Sequence, residues 1–351
     1  MSRRSTPRPS SVGEASRAPI ERRVRANGLE SSFFEWGAER RGDGPTSLFV
    51  HATGFHARCW DPVIARLGAR HVVALDLRGH GRSEKTPITN WKVFGEDLAD
   101  FVRVLDLRDV VGVGHSMGGH ALVDAAAAEP ERFRRLVLID PVIASPDDYA
   151  AFQALVDGGA DGTRPVPHPD GGWTIASGEG ALHPTARRKR FFESPAAMIE
   201  RFRERAPYSV FTPEALDAYC THGLLPRADG SGFELACPPD IEASIYMTSR
   251  TNGAVYESVR ALDLPVLILR AKLPSDRRDA MDFSSSPTWP ELVGRFAHGR
   301  DIHFAEHTHF LPMEIPERIA ALIVEELEQA GGRADPHPDP GSSTSVSASE
   351  S

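Results

Sequence analysis

Cysteine is scarce in this chain of 351 residues, which holds only Cys59, Cys220 and Cys237. An odd number cannot all pair within one chain, and none stands in a CxxC spacing, so a reducing cytoplasm is the simpler setting. Long apolar runs are missing too. No stretch approaches the roughly 18 residues that a membrane helix needs. The N-terminus carries Arg3-Arg4, but residues 5 to 19 are Pro, Ser and Ala mixed with charge. They form no apolar segment, which speaks against a secretory or twin-arginine signal. Positive charge is not in excess: the net charge is −9 and the pI is near 5.9, the wrong sign for a nucleic-acid carrier. No internal repeat is present.

The 40% hydrophobic content supports a substantial core. The length allows two or three domains, or one α/β domain with an inserted cap. Residues 1–19 and 332–351 are rich in Pro, Ser and Gly without periodicity and read as disordered tails, the first of them basic and solvated. Between them, Glu21–Arg25 and Ser31–Trp36 flank Asn27-Gly28, the dipeptide of a two-residue hairpin turn. Buried-type strands follow at Ser47–Val50 and His71–Leu75, with helical spacing through Trp60, Val63, Ile64 and Leu67 between them. A helix is expected along Val93, Phe94, Leu98, Phe101, Val102 and Leu105, then the strand 109–114, a helix to about Glu129, and a strand Leu136–Ile139. This alternation predicts parallel βαβ units with helices on both faces, a first core segment 20–142. Over 143–263 the alternation stops. Helix starts at Ser194-Pro195, Thr212-Pro213 and Pro238-Pro239 predict a helical cap there. The core resumes over 264–331 with strands at Pro265–Leu269 and Ile302–Phe304 and a helix from Pro316 to about Gln329.

Chemistry concentrates in Gly114-His115-Ser116-Met117-Gly118. A serine on a sharp strand-to-helix turn sits in strained backbone, and the glycines two places either side remove collisions with the turn. The hydroxyl is thereby raised at a helix N-terminus, where amides and dipole favour negative charge. Ser116 then needs a base and an orienting carboxylate. His309, in the loop between the last strand and last helix, is the candidate base, with His307 as runner-up. The loop after Leu269 offers Asp276, Asp279 and Asp282 as the acid. One oxyanion amide is expected from Met117, the other from Thr53 or Gly54.

Together, Asn27-Gly28, His51-Ala52-Thr53-Gly54-Phe55, Asp76-x-Arg78-Gly79-His80-Gly81-x-Ser83, Gly114 to Gly119, Leu136 to Pro141 and His309 to Glu314 resemble, in type and order, the capped esterase, lactonase and C–C hydrolase group of the α/β-hydrolase fold. The resemblance covers about residues 20 to 330. It implies a mostly parallel eight-stranded sheet with helices on both faces, a helical cap inserted after strand 6, Ser116 as nucleophile, His309 as base, and Thr53 and Met117 as oxyanion donors. Two departures stand out. The oxyanion loop reads His51-Ala52 where His-Gly is usual. The strand that normally ends in Gly, one or two residues, then Asp reads Arg270-Ala271-Lys272-Leu273-Pro274-Ser275-Asp276, which displaces the acid. Asp276 is taken as the acid, with Asp140, after the preceding strand, as the fallback. Serine instead of aspartate at the elbow disfavours epoxide-hydrolase and dehalogenase chemistry.

The expected function is hydrolysis of a small-molecule carboxylic ester, lactone or thioester through an acyl-enzyme on Ser116, with no metal or other cofactor. Acyl transfer, C–C hydrolysis on the same triad, and a non-catalytic ligand-binding relative are the rivals. His303, Glu306, His307 and His309 do not make a metal set, because a strand projects His303 and Glu306 to opposite sides. His51 and His80 read as turn and packing residues, and Cys59 as a packed thiol. Arg187-Arg188-Lys189-Arg190 with Arg201, Arg203 and Arg205 are either solvated helix faces or a cation for a substrate carboxylate. Some of Phe191, Phe192, Phe202, Tyr208 and Phe211 are expected to line an acyl pocket.

Overall fold

The computed structural model describes residues 18–158, 163–167, 173–177, 183–275 and 282–332. The segments read as tails fall almost entirely outside the described residues. β1 (Ile20–Ala26) and β2 (Leu29–Trp36) pair antiparallel. Asn27 and Gly28 both take positive φ, 45° and 73°, the backbone that a two-residue turn needs to match the strand twist. There follow β3 (Thr46–Val50), β4 (Val72–Leu75), β5 (Val110–His115), β6 (Phe133–Ile139), β7 (Val266–Arg270) and β8 (Gly299–His303). They form one eight-stranded sheet in the order β1-β2-β4-β3-β5-β6-β7-β8, parallel from β4 onward.

Strand alternation divides the core into two layers. Leu48, Val73, Leu136 and Leu138 face one side, under the helices Lys92–Val104 and Met117–Ala128. Phe49, Ala74, Val137 and Ile139 face the other, with Trp60, Val63 and the helix Pro316–Gly331. Two expectations shift in detail. The helix expected through Leu67 is a 3-10 turn, Ala57–Trp60, and one α turn, Asp61–Ile64, after which Gly68 at φ 75° redirects the chain towards β4. The last strand begins at Gly299 rather than Ile302.

Between β6 and β7 the chain leaves the main sheet. The proline signals open the helices Pro195–Phe202, Pro213–His222 and Pro239–Met247, and the Ser194 and Thr212 hydroxyls accept the Ala197 and Ala215 N–H groups at 3.1 and 3.3 Å. The region is not purely helical. Phe191–Phe192, Leu224–Pro226 and Phe233–Leu235 make a small antiparallel sheet, and Thr163–Pro167 pairs with Trp173–Ser177. Strands of two to five residues carry too little alternation to register as a pattern in the sequence. Val255–Ala261 packs against Met117–Ala128 and so belongs to the helical layer on the sheet.

Close approach at the end of β5 requires glycine. A Cβ on Gly118 would lie 2.3 Å from the Val50 carbonyl oxygen, and one on Gly114 2.6 Å from the Gly118 carbonyl oxygen. Both obstacles are backbone and cannot swing aside. Gly118→Ala is therefore expected to lower the free energy of unfolding by about 2 kcal/mol or more, the usual scale of overpacking. Urea denaturation of the two proteins measures it.

Candidate active site

Register brings the site together. His115 pairs with Ile139, and Ile139 with Leu269, so Ser116, Asp140 and Ala271 are the first residues past three adjacent strand ends. Ser116 occupies φ 59°, ψ −117° at the N-cap of Met117–Ala128. Its N–H donates to Ile139 O (2.9 Å) and its carbonyl accepts from Val142 N–H (3.1 Å), which fastens the strained turn to the end of β6.

His309 lies between β8 and the last helix. Its Nδ1–H donates to Asp140 Oδ2 at 2.7 Å, leaving Nε2 to accept from the Ser116 hydroxyl at 3.0 Å. The ring's backbone is held from two sides: His309 N–H donates to Phe283 O (3.2 Å), and His115 Nε2–H donates to the His309 carbonyl (2.8 Å). Asp140 is wholly buried. Its Oδ1 accepts from the Ala271 N–H (3.1 Å) and from the Ser286 and Thr288 hydroxyls. Burial would raise its pKa, but the hydrogen bonds from His309, Ser286 and Ala271 outweigh that and hold the carboxyl below its usual range.

The loop after β3 is locked by two histidines. Leu77 N–H donates to His51 Nε2 (3.0 Å), and His51 Nδ1–H donates to Ala52 O (2.8 Å). Gly54 N–H donates to His80 Nε2 (3.0 Å), and His80 Nδ1–H donates to Arg78 O (2.9 Å). Both rings act as neutral braces, and burial pushes both pKa values down. The Thr53 hydroxyl reaches Met117 Sδ at 3.5 Å, so the loop meets the elbow. Neither the Thr53 nor the Met117 N–H finds a hydrogen-bond acceptor among the described residues. A cavity of about 750 Å³ opens over these groups, with Thr53, Ser116 and His309 in its wall.

With that geometry in hand, the comparisons are direct. A model of the alpha/beta hydrolase family matches residues 48–322. The chain belongs to the alpha/beta hydrolase family. Esterase Rv0045c of Mycobacterium tuberculosis is 36% identical over 311 residues, 87% of this chain and 88% of that protein. The 2-(acetamidomethylene)succinate hydrolase of Mesorhizobium japonicum is 35% identical over 125 residues, 34% of this chain, and the match spans only 44% of that relative's length. A crystal structure of E-2-(acetamidomethylene)succinate hydrolase superposes with a TM-score of 0.62 at 22% identity, covering 88% of this chain and 99% of that one, an agreement of fold.

For this alpha/beta hydrolase one sequence assignment needs correction. Among the described residues the carboxylate that His309 meets is Asp140, the fallback of the sequence reading, in the place that reading gave to Asp276. The end of β7 supplies the Ala271 N–H as a donor to Asp140 where the sequence reading sought a carboxylate. Asp276 and Asp279 lie outside the described residues, and Asp282 accepts from Ser284 N–H (2.8 Å). His307, the runner-up base, is bonded through Nδ1 to Glu314 Oε1 (2.8 Å). Ser286 and Thr288 were missed; hydroxyl residues in a loop carry no pattern that announces a distant carboxylate. In the cap, Arg187, Arg188, Lys189, Arg201 and Arg205 line the cavity, whereas Arg190 and Arg203 pair with Glu234 and Glu200. Of the aromatic candidates Phe202 and Tyr208 line it, while Phe191 is exposed and Phe192 and Phe211 pack in the cap core.

Buried imidazoles also set the response to acid. Burial lowers His56 and His115 to about 3. An unfolded histidine takes up its proton near pH 6.5, so between there and pH 3 the unfolded chain binds protons that the folded one refuses, and stability falls as pH falls. Each ring contributes up to about 1.4 kcal/mol per pH unit in that window. The unfolding free energy is expected to drop between about pH 7 and about pH 5, and His56→Gln to flatten that slope, as read by urea titration at each pH.

Proposed function

We propose that this protein is a serine hydrolase that cleaves a carboxylic ester, lactone or thioester, with Ser116 as nucleophile, His309 as base and Asp140 as the orienting acid. The observation that carries the reading is the continuous hydrogen-bonded line Asp140–His309–Ser116 opening into the cavity. Two further features support it: the acceptor-free Thr53 and Met117 amides, and the relative named as an esterase that aligns over most of the chain.

His309 Nε2 takes the Ser116 proton as Oγ bonds to the substrate carbonyl carbon, and the two amides receive the charge developing on the carbonyl oxygen. As the tetrahedral adduct collapses, the carbon–oxygen or carbon–sulfur bond breaks and the leaving group takes the proton from His309. Water, deprotonated by the same ring, then frees the acid and restores Ser116. Asp140 holds the Nδ1–H tautomer throughout and stabilises the imidazolium.

A fluorophosphonate probe followed by peptide mapping should place the adduct on Ser116; absence of labelling on the folded protein would sink the proposal. With 4-nitrophenyl butyrate, Asp140→Asn is expected to lower kcat about 10³- to 10⁴-fold by stabilising the wrong tautomer. Asp276→Asn and Asp282→Asn should leave kcat near wild type. The reverse ranking would return the acid to the loop after β7.

A further inference from the structure

The chain has a net charge of −9, yet the cavity wall runs the other way. Among the described residues, Arg187, Arg188, Lys189, Arg201, Arg205 and Arg250 line it, against Asp148 and Glu242 as the carboxylates. These cations are not equivalent. Arg188 is already satisfied: it is paired with Glu242 and donates to the Tyr208 and Tyr219 hydroxyls at 3.2 and 3.1 Å. Arg187, Lys189, Arg201 and Arg205 are exposed, where water competes for the charge and leaves mainly long-range attraction.

Arg250 stands apart. It is half-buried, and among the described residues its Nε is sealed from solvent with no acceptor, no carboxylate pairs with it, and its one side-chain hydrogen bond is a long one, Nη1 to the adjacent Ser249 carbonyl at 3.4 Å. The Tyr149 ring lies 6.0 Å from the guanidinium carbon. A partly desolvated cation with unmet donors is costly unless an anion completes it. The segment that carries it is fixed: Thr251 Oγ1 accepts from Trp91 N–H (3.0 Å), Trp91 Nε1–H donates to Ile245 O (2.8 Å), and Asn252 Nδ2 donates to Asp124 Oδ2 (2.7 Å). Trp91 shares the cavity wall. The backbone that carries Arg250 is therefore fixed in advance of any ligand, and what remains to be ordered when an anion arrives is the side chain itself.

We propose that Arg250 binds a carboxylate carried by the substrate, so that the preferred esters are anionic, such as half-esters of dicarboxylic acids. This rests on the hydrolase reading of Ser116. A planar carboxylate accepts two parallel N–H bonds from one guanidinium, a match that a neutral ester of the same shape lacks. The exposed arginines would draw such a substrate towards the opening.

The test compares 4-nitrophenyl hemiglutarate, charged on its acyl side, and 4-acetoxybenzoate, charged on its leaving group, with neutral 4-nitrophenyl valerate. Wild type should favour one charged ester, and the two arms tell which side of the scissile bond faces Arg250. In Arg250→Gln the charged-to-neutral ratio of kcat/KM should fall about 100-fold, chiefly through KM, with partial recovery in Arg250→Lys. Free glutarate should inhibit wild-type hydrolysis of the valerate ester competitively, and pentanamide should not. A ratio unmoved by both substitutions, or no inhibition of wild type by glutarate, overturns the proposal. Fluorophosphonate labelling of Ser116 in the same preparations separates the two readings. Labelled enzyme indifferent to substrate charge removes only the role of Arg250, whereas unlabelled enzyme that still binds glutarate, by titration calorimetry, removes only the hydrolase.

Discussion

A line of two hydrogen bonds, from Asp140 through His309 to Ser116, works only if three groups from separate parts of the chain meet within a few tenths of an ångström. Parallel pairing of β5, β6 and β7 makes that meeting possible. In a parallel sheet all strands finish at the same edge, so the residues just past His115, Ile139 and Leu269 become neighbours although they are far apart in sequence. The strained serine depends on the same edge, because its N–H and carbonyl are both bonded to the backbone around the end of β6. Loss of that register would free the turn and separate Asp140 from His309 together.

The placement of the carboxylate after β6 reorganises what lies around it. Asp140 is enclosed by donors from the β7 side, the Ala271 N–H and the Ser286 and Thr288 hydroxyls, so the loop that might have supplied the acid braces it instead. Two buried histidines do comparable work on the opposite flank, where His51 and His80 tie the loop after β3 to the turn after β4. The site is thus clamped from both sides by neutral groups, and charge is left to Asp140 and the cation-rich wall above.

Much of the architecture could be read along the chain because its causes are local. The Asn27-Gly28 turn, the apolar runs of β3 to β7 and the proline starts of the cap helices each depend on residues within a few positions of one another. The elbow was legible for the same reason, since the crowding that demands Gly114 and Gly118 arises within one turn. The short strands of the cap were not, because their pairing carries almost no periodic signal. The carboxylate that meets the His309 ring could not be read from the sequence, since aspartates follow both β6 and β7 and the choice turns on which of them the ring reaches.

Sequence by itself determined the doubly wound sheet and the glycine-flanked turn that carries Ser116, because hydrophobic period, glycine placement and strand order are properties of consecutive residues. Only the tertiary structure decided that Asp140 meets His309, that Ser286 and Thr288 donate to it, and that Arg250 lines the cavity with no carboxylate paired to it among the described residues. Those are distances between segments joined through the sheet edge and the cap, and a distance across a fold depends on packing that no single stretch of chain contains.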